Sequence, residues 1–186
     1  MTLCDRAGIV LSTVGDIEQD SYTLFRIIIA LMFGDDELVG YDKSMQHGQH
    51  SEIVSIMAGG LEYTVKKKLF SSEVMRGRAT QCWHVEREGE QYVIKDSWVQ
   101  VGRASNEIDL LQEMDDVDGV PNLIWGGDVL LSDGTVDSTA MNRVGLQYSE
   151  ERVHRRLVMQ PVAERIQTFN SKRELISVLI DIVNSK

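Results

Sequence analysis

The chain has 186 residues, 42% of them hydrophobic and 26% charged, which is ordinary for one globular domain or for a domain with a structured extension. Its formal net charge of −10 argues against nucleic acid or a membrane surface as the main partner, since both attract a basic surface. Two distant cysteines, no visible secretory leader and a longest apolar run of seven residues, 27–33, predict a soluble protein of the cytoplasm or nucleus.

The first 60 residues are predicted to form a strand, a helix and an irregular connection. The turn Asp5-Arg6-Ala7-Gly8 leads into a short strand at 9–11. Asp20 or the serine that follows it can cap a helix that stops at Gly34. Residues 35–60 are polar and contain glycine and histidine, so they predict irregular structure. The helix is indicated by apolar residues at helical spacing, namely Tyr22, Phe25, Ile28, Ile29 and Met32.

After residue 60 the pattern changes to that of an antiparallel sheet with one packed helix. Alternating apolar and polar residues predict strands at 63–69, 80–86, 91–96, 120–124 and 153–159, with a helix at 105–114. The turn Glu88-Gly89-Glu90 joins the second strand to the third, and the long loop at 132–151 is an insertion. The sequence therefore predicts an α+β fold built on about five strands.

A terminal helix is predicted to begin at Ser171, where Glu174 completes a capping box. The apolar residues of this helix recur at helical spacing. They predict a buried face that consists of Leu175, Val178, Leu179 and Ile182.

Acidic residues dominate the segment between Ala104 and Asn142, which contains nine Asp or Glu residues and no Lys or Arg. Such a run favours a solvated acidic edge, including the loop from Asp128 to Asp137. The alternative is a surface for a basic partner.

One pair of residues has the layout of a site that binds phosphate. Lys95 lies at the end of the apolar strand Tyr92-Val93-Ile94-Lys95, and Glu107 lies on the helix that follows. A lysine on a half-buried strand is costly unless a carboxylate holds it. Such a pair leaves N–H donors for a phosphate, beside backbone N–H groups of a turn such as Gly77-Arg78-Ala79-Thr80. The alternative is a plain surface ion pair of small energetic value.

Several segments of the chain resemble the fungal-type protein kinase family, from about Asp5 to the C-terminus. The most specific is Lys95-Asp96-Ser97-Trp98. The other matching segments, in chain order, are Asp5-Arg6-Ala7-Gly8-Ile9-Val10, Leu31-Met32-Phe33, Gly40-Tyr41-Asp42, Gly77-Arg78-Ala79-Thr80, Arg152-Val153-His154-Arg155-Arg156-Leu157-Val158 and residues 169–175. The resemblance implies a kinase-like small lobe with its hinge at 61–168, preceded by a family-specific extension at 1–60 and followed at 169–186 by the start of a large-lobe helix.

The resemblance also implies a role for each residue of the site. Lys95 contacts the α- and β-phosphates of ATP, and Glu107 is its helix partner. The turn that covers the phosphates contains Gly77 and Thr80. The adenine side is formed by Val93 against the base, Met159 at the back of the pocket, and Gln160 and Val162 with backbone groups at the adenine edge. ATP is expected to bind weakly, because Gly77 is the one glycine of the phosphate turn and Val93 stands where kinases usually have alanine.

The acidic residues that drive phosphoryl transfer have no counterpart among these residues. The family chemistry needs an Asp to orient the substrate hydroxyl, and an Asn and a second Asp to hold Mg²⁺. His154-Arg155-Arg156 has Arg in place of the first Asp, and Met32-Phe33-Gly34 lacks the second and precedes Lys95. We therefore expect a truncated Ser/Thr protein kinase domain that holds no Mg²⁺ and is inactive by itself.

A non-catalytic, pseudokinase-like module is the alternative function, binding a nucleotide or a protein. A small lobe normally packs on a large lobe, so its cleft-facing surface would be apolar and open to a protein partner. Neither hypothesis involves nucleic acid or a membrane.

Overall fold

The computed structural model describes residues 2–12, 15–16, 18–102, 106–115, 117–148, 150–164 and 166–184. The strands, in chain order, are β1 (Thr2–Asp5), β2 (Gly8–Leu11), β3 (Met45–His47), β4 (Ile53–Ala58), β5 (Leu61–Ser71), β6 (Gln81–Arg87), β7 (Glu90–Gln100), β8 (Asn122–Asp128) and β9 (Arg152–Gln160). The helices are α1 (Ser21–Phe33), α2 (Glu107–Glu113) and α3 (Lys172–Asn184), with short 3₁₀ turns at Asp36–Val39, Thr139–Arg143 and Ile166–Thr168.

Seven strands form one antiparallel sheet in the order β3-β4-β5-β6-β7-β9-β8, and β1 pairs with β2 in a separate hairpin. The turn predicted at Glu88-Gly89 closes the hairpin of β6 and β7, where Arg87 pairs with Glu90. Strand β9 comes last in sequence but lies between β7 and β8. The strand that carries Lys95 is therefore central, with β6 on one side and β9 on the other.

One face of the seven-stranded sheet carries the hydrophobic core. Trp83, Ile94 and Val158 lie on neighbouring strands and are at most 2% exposed. Because side chains alternate between the two faces of a strand, the burial of Ile94 in this core places Lys95 on the opposite face. The core is completed by residues of β4, β5 and β6, namely Ile56, Ala58, Tyr63 and Val85.

The sheet is larger than the sequence predicts, although the α+β class is confirmed. The prediction of about five strands is wrong because β3 and β4 lie in the segment 35–60, where irregular structure was expected. Strand β4 has the sequence Ile-Val-Ser-Ile-Met-Ala, in which Ser55 is buried beside Ile56. A buried serine interrupts the apolar alternation by which a strand is recognised.

Two of the helices begin as predicted. Asp20 caps α1 by accepting a hydrogen bond from the backbone N–H of Thr23 at 3.1 Å, and Gly34 ends it. Ser171 caps α3 by accepting from the N–H of Glu174 at 3.1 Å, and the Glu174 carboxylate accepts from Asn170. The predicted start of α2 at residue 105 lies outside the described residues, and its N-cap is Asn106.

The apolar faces of α1 and α3 are exposed. Helix α1 contains no buried residue. In α3 the prediction of a buried face is wrong, since Val178, Leu179 and Ile182 are exposed and Leu175 is half-buried among the described residues. An amphipathic pattern shows which face of a helix would be covered, but does not show what covers it. Among the described residues, no helix combines the length and the apolar character that a membrane crossing needs.

Candidate functional site

The face of the sheet opposite the core, here called the site face, gathers three of the predicted site residues. Lys95 pairs across the strands with Cys82 and Leu157, and Val93 pairs with Met159. Residues directly opposite each other in an antiparallel pair share a face. Lys95 therefore lies beside a patch formed by Val93, Leu157 and Met159, with its side chain 21% exposed.

Glu107, the first residue of α2, holds two cations on the site face. One carboxylate oxygen, Oε1, accepts a hydrogen bond from Lys95 Nζ. The other oxygen, Oε2, accepts one from Arg78 Nη2 at 2.8 Å. Burial of the carboxyl group favours its neutral form, but the hydrogen bonds and charges of Lys95 and then of Arg78 outweigh this effect and lower the pKa of Glu107. The predicted contact between Lys95 and Glu107 is thus present, and Arg78 shares it.

Helix α2 is fixed to the sheet at its N-terminus. The side-chain oxygen of Asn106 accepts from the backbone N–H of Ile108 at 3.2 Å and from Arg155 Nη1 at 2.7 Å. A Cβ atom on Gly126 would lie 2.9 Å from Ile108 Cγ1. Because glycine has no side chain, α2 packs closely on β8, and Glu107 faces Lys95 from a defined position.

The loop at 72–80, which joins β5 to β6, is held by the N-terminal hairpin of β1 and β2. Gly77 has φ +121, in the region that favours glycine, and its backbone N–H donates to the carbonyl of Arg6 at 3.0 Å. The Arg6 side chain donates back to the carbonyls of Val74 at 2.9 Å and Met75 at 3.3 Å. The loop that was predicted to cover the phosphates is therefore bonded to residue 6.

A second contact anchors the same hairpin. The Asp5 carboxylate accepts from both Nη atoms of Arg143, and the bond between Arg143 Nη2 and Asp5 Oδ1 measures 2.7 Å. Arg143 is buried and also donates to the carbonyl of Thr139. Burial favours the neutral carboxyl group, but the bond to Arg143 outweighs this effect and lowers the pKa of Asp5. The hairpin is thus tied to the segment between β8 and β9.

The remaining predicted residues lie around this centre. The carbonyl of Thr80 accepts from the N–H of Ser72 at 2.9 Å and closes the base of the loop. Gln160 ends β9, where its side chain donates to the carbonyl of Gln91, and Val162 is half-buried two residues further on. Within the described residues, no hydrogen bond or ion pair joins Gly77, Gln160 or Val162 to Lys95.

Asp96, the neighbour of Lys95 in β7, lies on the core face in a buried ion network. Arg156 donates to both oxygens of Asp96 at 2.8 and 2.7 Å, and to Asp42 at 2.8 Å. His154 bonds to Asp96 at 3.1 Å and to Asp137 at 3.0 Å. Burial opposes a charge on the imidazole, but these two carboxylates outweigh it and raise the pKa of His154 to about 9.

The same network resembles a metal site in its spacing but not in its charge. Ligand atoms of Asp42, Asp96 and His154 all lie within 4.8 Å of one another. The guanidinium of Arg156 is bonded to both carboxylates, and a protonated imidazole has no lone pair for a metal. This donor set therefore fits a buried arginine rather than a divalent cation.

This network gives the segment Lys95-Asp96-Ser97-Trp98 a physical explanation that the sequence analysis lacked. Asp96 pairs in register with Arg156, and Trp98 pairs with His154. The Trp98 and His154 rings are stacked with centroids 5.0 Å apart. In the sequence, His154-Arg155-Arg156 indicated a family segment and a defective catalytic loop, but not a buried ion network. The signal for the network was the run of basic residues among the apolar residues of β9, because buried cations require carboxylates.

Three carboxylates of the acidic segment are bound internally. Besides Glu107, Asp128 accepts from Arg155 Nε at 2.8 Å and Asp137 contacts His154. The prediction of a solvated edge is therefore wrong for Asp128 and Asp137, whereas the bond of Glu107 to Lys95 was predicted. The partners of Asp128 and Asp137 lie on another strand, which is why the charge run alone did not indicate them.

Comparison with known proteins assigns the chain to a family. The family model described as fungal protein kinase matches residues 1–186, the whole chain. No curated protein and no solved structure matches it. The match extends over the N-terminal hairpin, the site face and α3 alike. The chain belongs to the fungal protein kinase family.

Proposed function

We propose that this chain is the ATP-binding part of a protein kinase domain whose activity is phosphorylation of Ser or Thr in proteins. The observation that carries the proposal is the ion pair of Lys95 and Glu107 on the site face, next to the loop at 72–80. An ammonium group on a central strand, fixed by a carboxylate from a neighbouring helix, is the arrangement that protein kinases use to hold the α- and β-phosphates.

The order of elements supports this proposal. Strands β5 and β6 flank the loop at 72–80, β7 carries the lysine, and α2 carries the glutamate. Strand β9 lies beside β7 and leads into Gln160 and Val162, which we propose for the adenine edge. We propose the division into an extension at 1–60, a small lobe with hinge at 61–168, and a first large-lobe helix from 169. In this division β3 and β4 of the extension widen the small-lobe sheet.

ATP would supply the transferred phosphoryl group, and the residues of this chain would bind and orient it. Lys95 neutralises phosphate charge, while Glu107 keeps the ammonium group in place. Val93 and Met159 form the apolar patch for the base. Glu107 already holds two cations, so it is a poor ligand for Mg²⁺. We propose that these residues bind nucleotide without Mg²⁺ ligands of their own and do not transfer phosphate by themselves.

Calorimetric titration of the full chain with ATP, with and without Mg²⁺, tests the proposal. We expect saturable binding that adenine nucleotides compete for, and at least a tenfold loss of affinity in Lys95→Met, because charged hydrogen bonds are worth about 1.5–3 kcal/mol each. A Lys43→Met variant is the matched control, since Lys43 pairs with Asp35 at 2.6 Å outside the seven-stranded sheet. Equal ATP affinity of Lys95→Met and the wild type would contradict the role of Lys95.

A non-catalytic protein-binding module is the second candidate, and one observation favours it. Helices α1 and α3 expose apolar faces in the described part of the chain, and such faces are typical of binding surfaces. Absence of any ATP binding by the wild type, together with capture of one defined protein partner that substitutions on α3 abolish, would favour this function over the first.

A further inference from the structure

The glycine of the loop at 72–80 does not have its backbone N–H free for an anion. Kinase-like phosphate loops bind phosphate through backbone N–H groups. Here the N–H of Gly77 donates to Arg6, and the N–H of Ser72 donates to Thr80. Ala79, two residues after Gly77, is buried. Because the N–H groups of Gly77 and Ser72 are bonded within the protein, an anion at the glycine of this loop needs donors from side chains.

Arg78 is placed to supply them. Its Nη2 atom lies 2.8 Å from Glu107 Oε2, while Lys95 bonds to the other oxygen of the same carboxylate. Two cations thus share one anion, which leaves a local excess of one positive charge. The Arg78 side chain is 45% exposed, and a guanidinium has five N–H donors in a fork that matches phosphate oxygens.

We propose that Arg78 is a second phosphate-binding residue, which acts with Lys95 on the polyphosphate of ATP in place of the backbone N–H of Gly77. This inference rests on the proposed function of the site. Glu107 sets the spacing of the two cations, so that a phosphate approaching Lys95 meets the guanidinium as well. The loop itself is kept in position by Arg6 and contributes the Arg78 side chain, because the N–H of its glycine is already bonded.

A purely structural role for Arg78 is the competing explanation, in which the residue only stabilises α2 through Glu107. The two roles differ in what they predict for the ligand. A phosphate-binding residue affects ligands in proportion to their phosphates, whereas a structural residue affects ATP and adenosine alike. Arg76 provides a matched control, because it lies in the same loop and its side chain pairs with Glu150 at 2.7 Å, away from Glu107.

The experiment measures the affinity of the full chain for ATP and for adenosine in the wild type, Arg78→Ala, Arg78→Lys and Arg76→Ala. We expect Arg78→Ala to weaken ATP binding about tenfold and to leave adenosine binding unchanged, since a charged, bidentate contact is lost. Arg78→Lys should fall in between, and Arg76→Ala should stay within about twofold of the wild type. Thermal unfolding of each variant verifies that it is folded.

The outcomes separate the inference from the proposed function. If the wild type binds ATP and Arg78→Ala binds it equally well, the role of Arg78 is refuted and the site of Lys95 stands. The same holds if ATP and adenosine affinities fall by the same factor, since this indicates a structural role. If the wild type binds no ATP, both the inference and the proposed function are refuted.

Discussion

Two ion networks lie back to back on strand β7, one on each face of the sheet. Lys95 belongs to the site-face network with Glu107 and Arg78, and the next residue, Asp96, belongs to the core-face network with Arg156 and His154. The Lys95 and Glu107 side chains are 21% and 29% exposed, whereas those of Arg156 and Asp96 are 1% and 5% exposed. Two neighbouring residues of β7 thus belong to different networks: Lys95 to a partly exposed one and Asp96 to a buried one.

The hydrogen bonds of the cations distinguish a network that stabilises the fold from one that can bind a ligand. In the core-face network, Arg156 is bonded to two carboxylates, a hydroxyl and a backbone carbonyl, so its hydrogen-bonding capacity is met within the protein. On the site face two partly exposed cations, Lys95 and Arg78, share one carboxylate, so one positive charge is not neutralised within the site. Removal of a residue should therefore affect stability in the first network and ligand affinity in the second.

The largest effect is expected for Arg156→Met. This change leaves Asp96 and Asp42 buried without their cation, which costs about 3–5 kcal/mol for a buried pair. The free energy of unfolding, measured in urea, should fall by this amount. Arg76→Met removes an exposed arginine with a single partner and should cost less than about 1 kcal/mol. Similar losses in the two variants would contradict the contrast between the networks.

A pH effect of the core-face network comes next. His154 is surrounded by Asp96, Asp137, Arg156 and the ring of Trp98. Its pKa is raised from an ordinary 6.5 to about 9. The protonated His154 therefore stabilises the folded protein fully below pH 6.5. This contribution, about 3 kcal/mol, is lost as the pH rises through 9.

The measurement is the difference in unfolding free energy between the wild type and His154→Gln from pH 6 to pH 10. This difference should shrink with rising pH. A constant difference for His154→Gln would show that the imidazole is neutral in the folded protein.

A smaller effect is expected for Asn106, the residue that attaches the N-terminus of α2 to β9. Asn106→Ala removes both the N-cap of α2 and a partner of Arg155, and should cost about 1 kcal/mol. The midpoint of thermal unfolding measures this. Asp20→Ala removes the equivalent cap of α1, a helix whose apolar face is exposed, and should leave the midpoint of thermal unfolding of the sheet unchanged. Equal shifts in both variants would indicate that α1 is packed as firmly as α2.

The smallest effect on stability is expected for Lys95→Met. An ion pair exposed to this degree contributes about 0–1 kcal/mol, so urea unfolding should be almost unchanged while ATP affinity falls. A decrease of more than about 2 kcal/mol in the free energy of unfolding would contradict this, and would show that Lys95, like Arg156, mainly stabilises the fold.

Local features of this molecule were predictable from the sequence, and distant ones were not. The caps of α1 and α3, the turn at Glu88-Gly89 and the pair of Lys95 with Glu107 follow from residues close together in the chain, and all are present. Asp5 and Arg143 are 138 residues apart, and Asp42 and Arg156 are 114 apart. No periodicity connects such partners, so their pairing requires the fold.

These distant pairs also connect the N-terminal segments of the chain to the seven-stranded sheet. Asp5-Arg6 reaches both Arg143 and the loop at 72–80, and Asp42 completes the network of Arg156. Asp5, Arg6 and Asp42 thus attach the segment 1–60 to the strands and the loop around Lys95.

The position of β9 has a consequence for synthesis on the ribosome. Strand β8 has β9 as its one neighbour in the sheet, and β9 follows β8 in the chain by a long connection. During synthesis, β8 and the carboxylates of Asp42 and Asp96 leave the ribosome before β9 does. Strand β9 later pairs with β8, and its Arg156 neutralises the two carboxylates. The seven-stranded sheet therefore cannot be completed before residues 152–160 have left the exit tunnel and paired with β7 and β8.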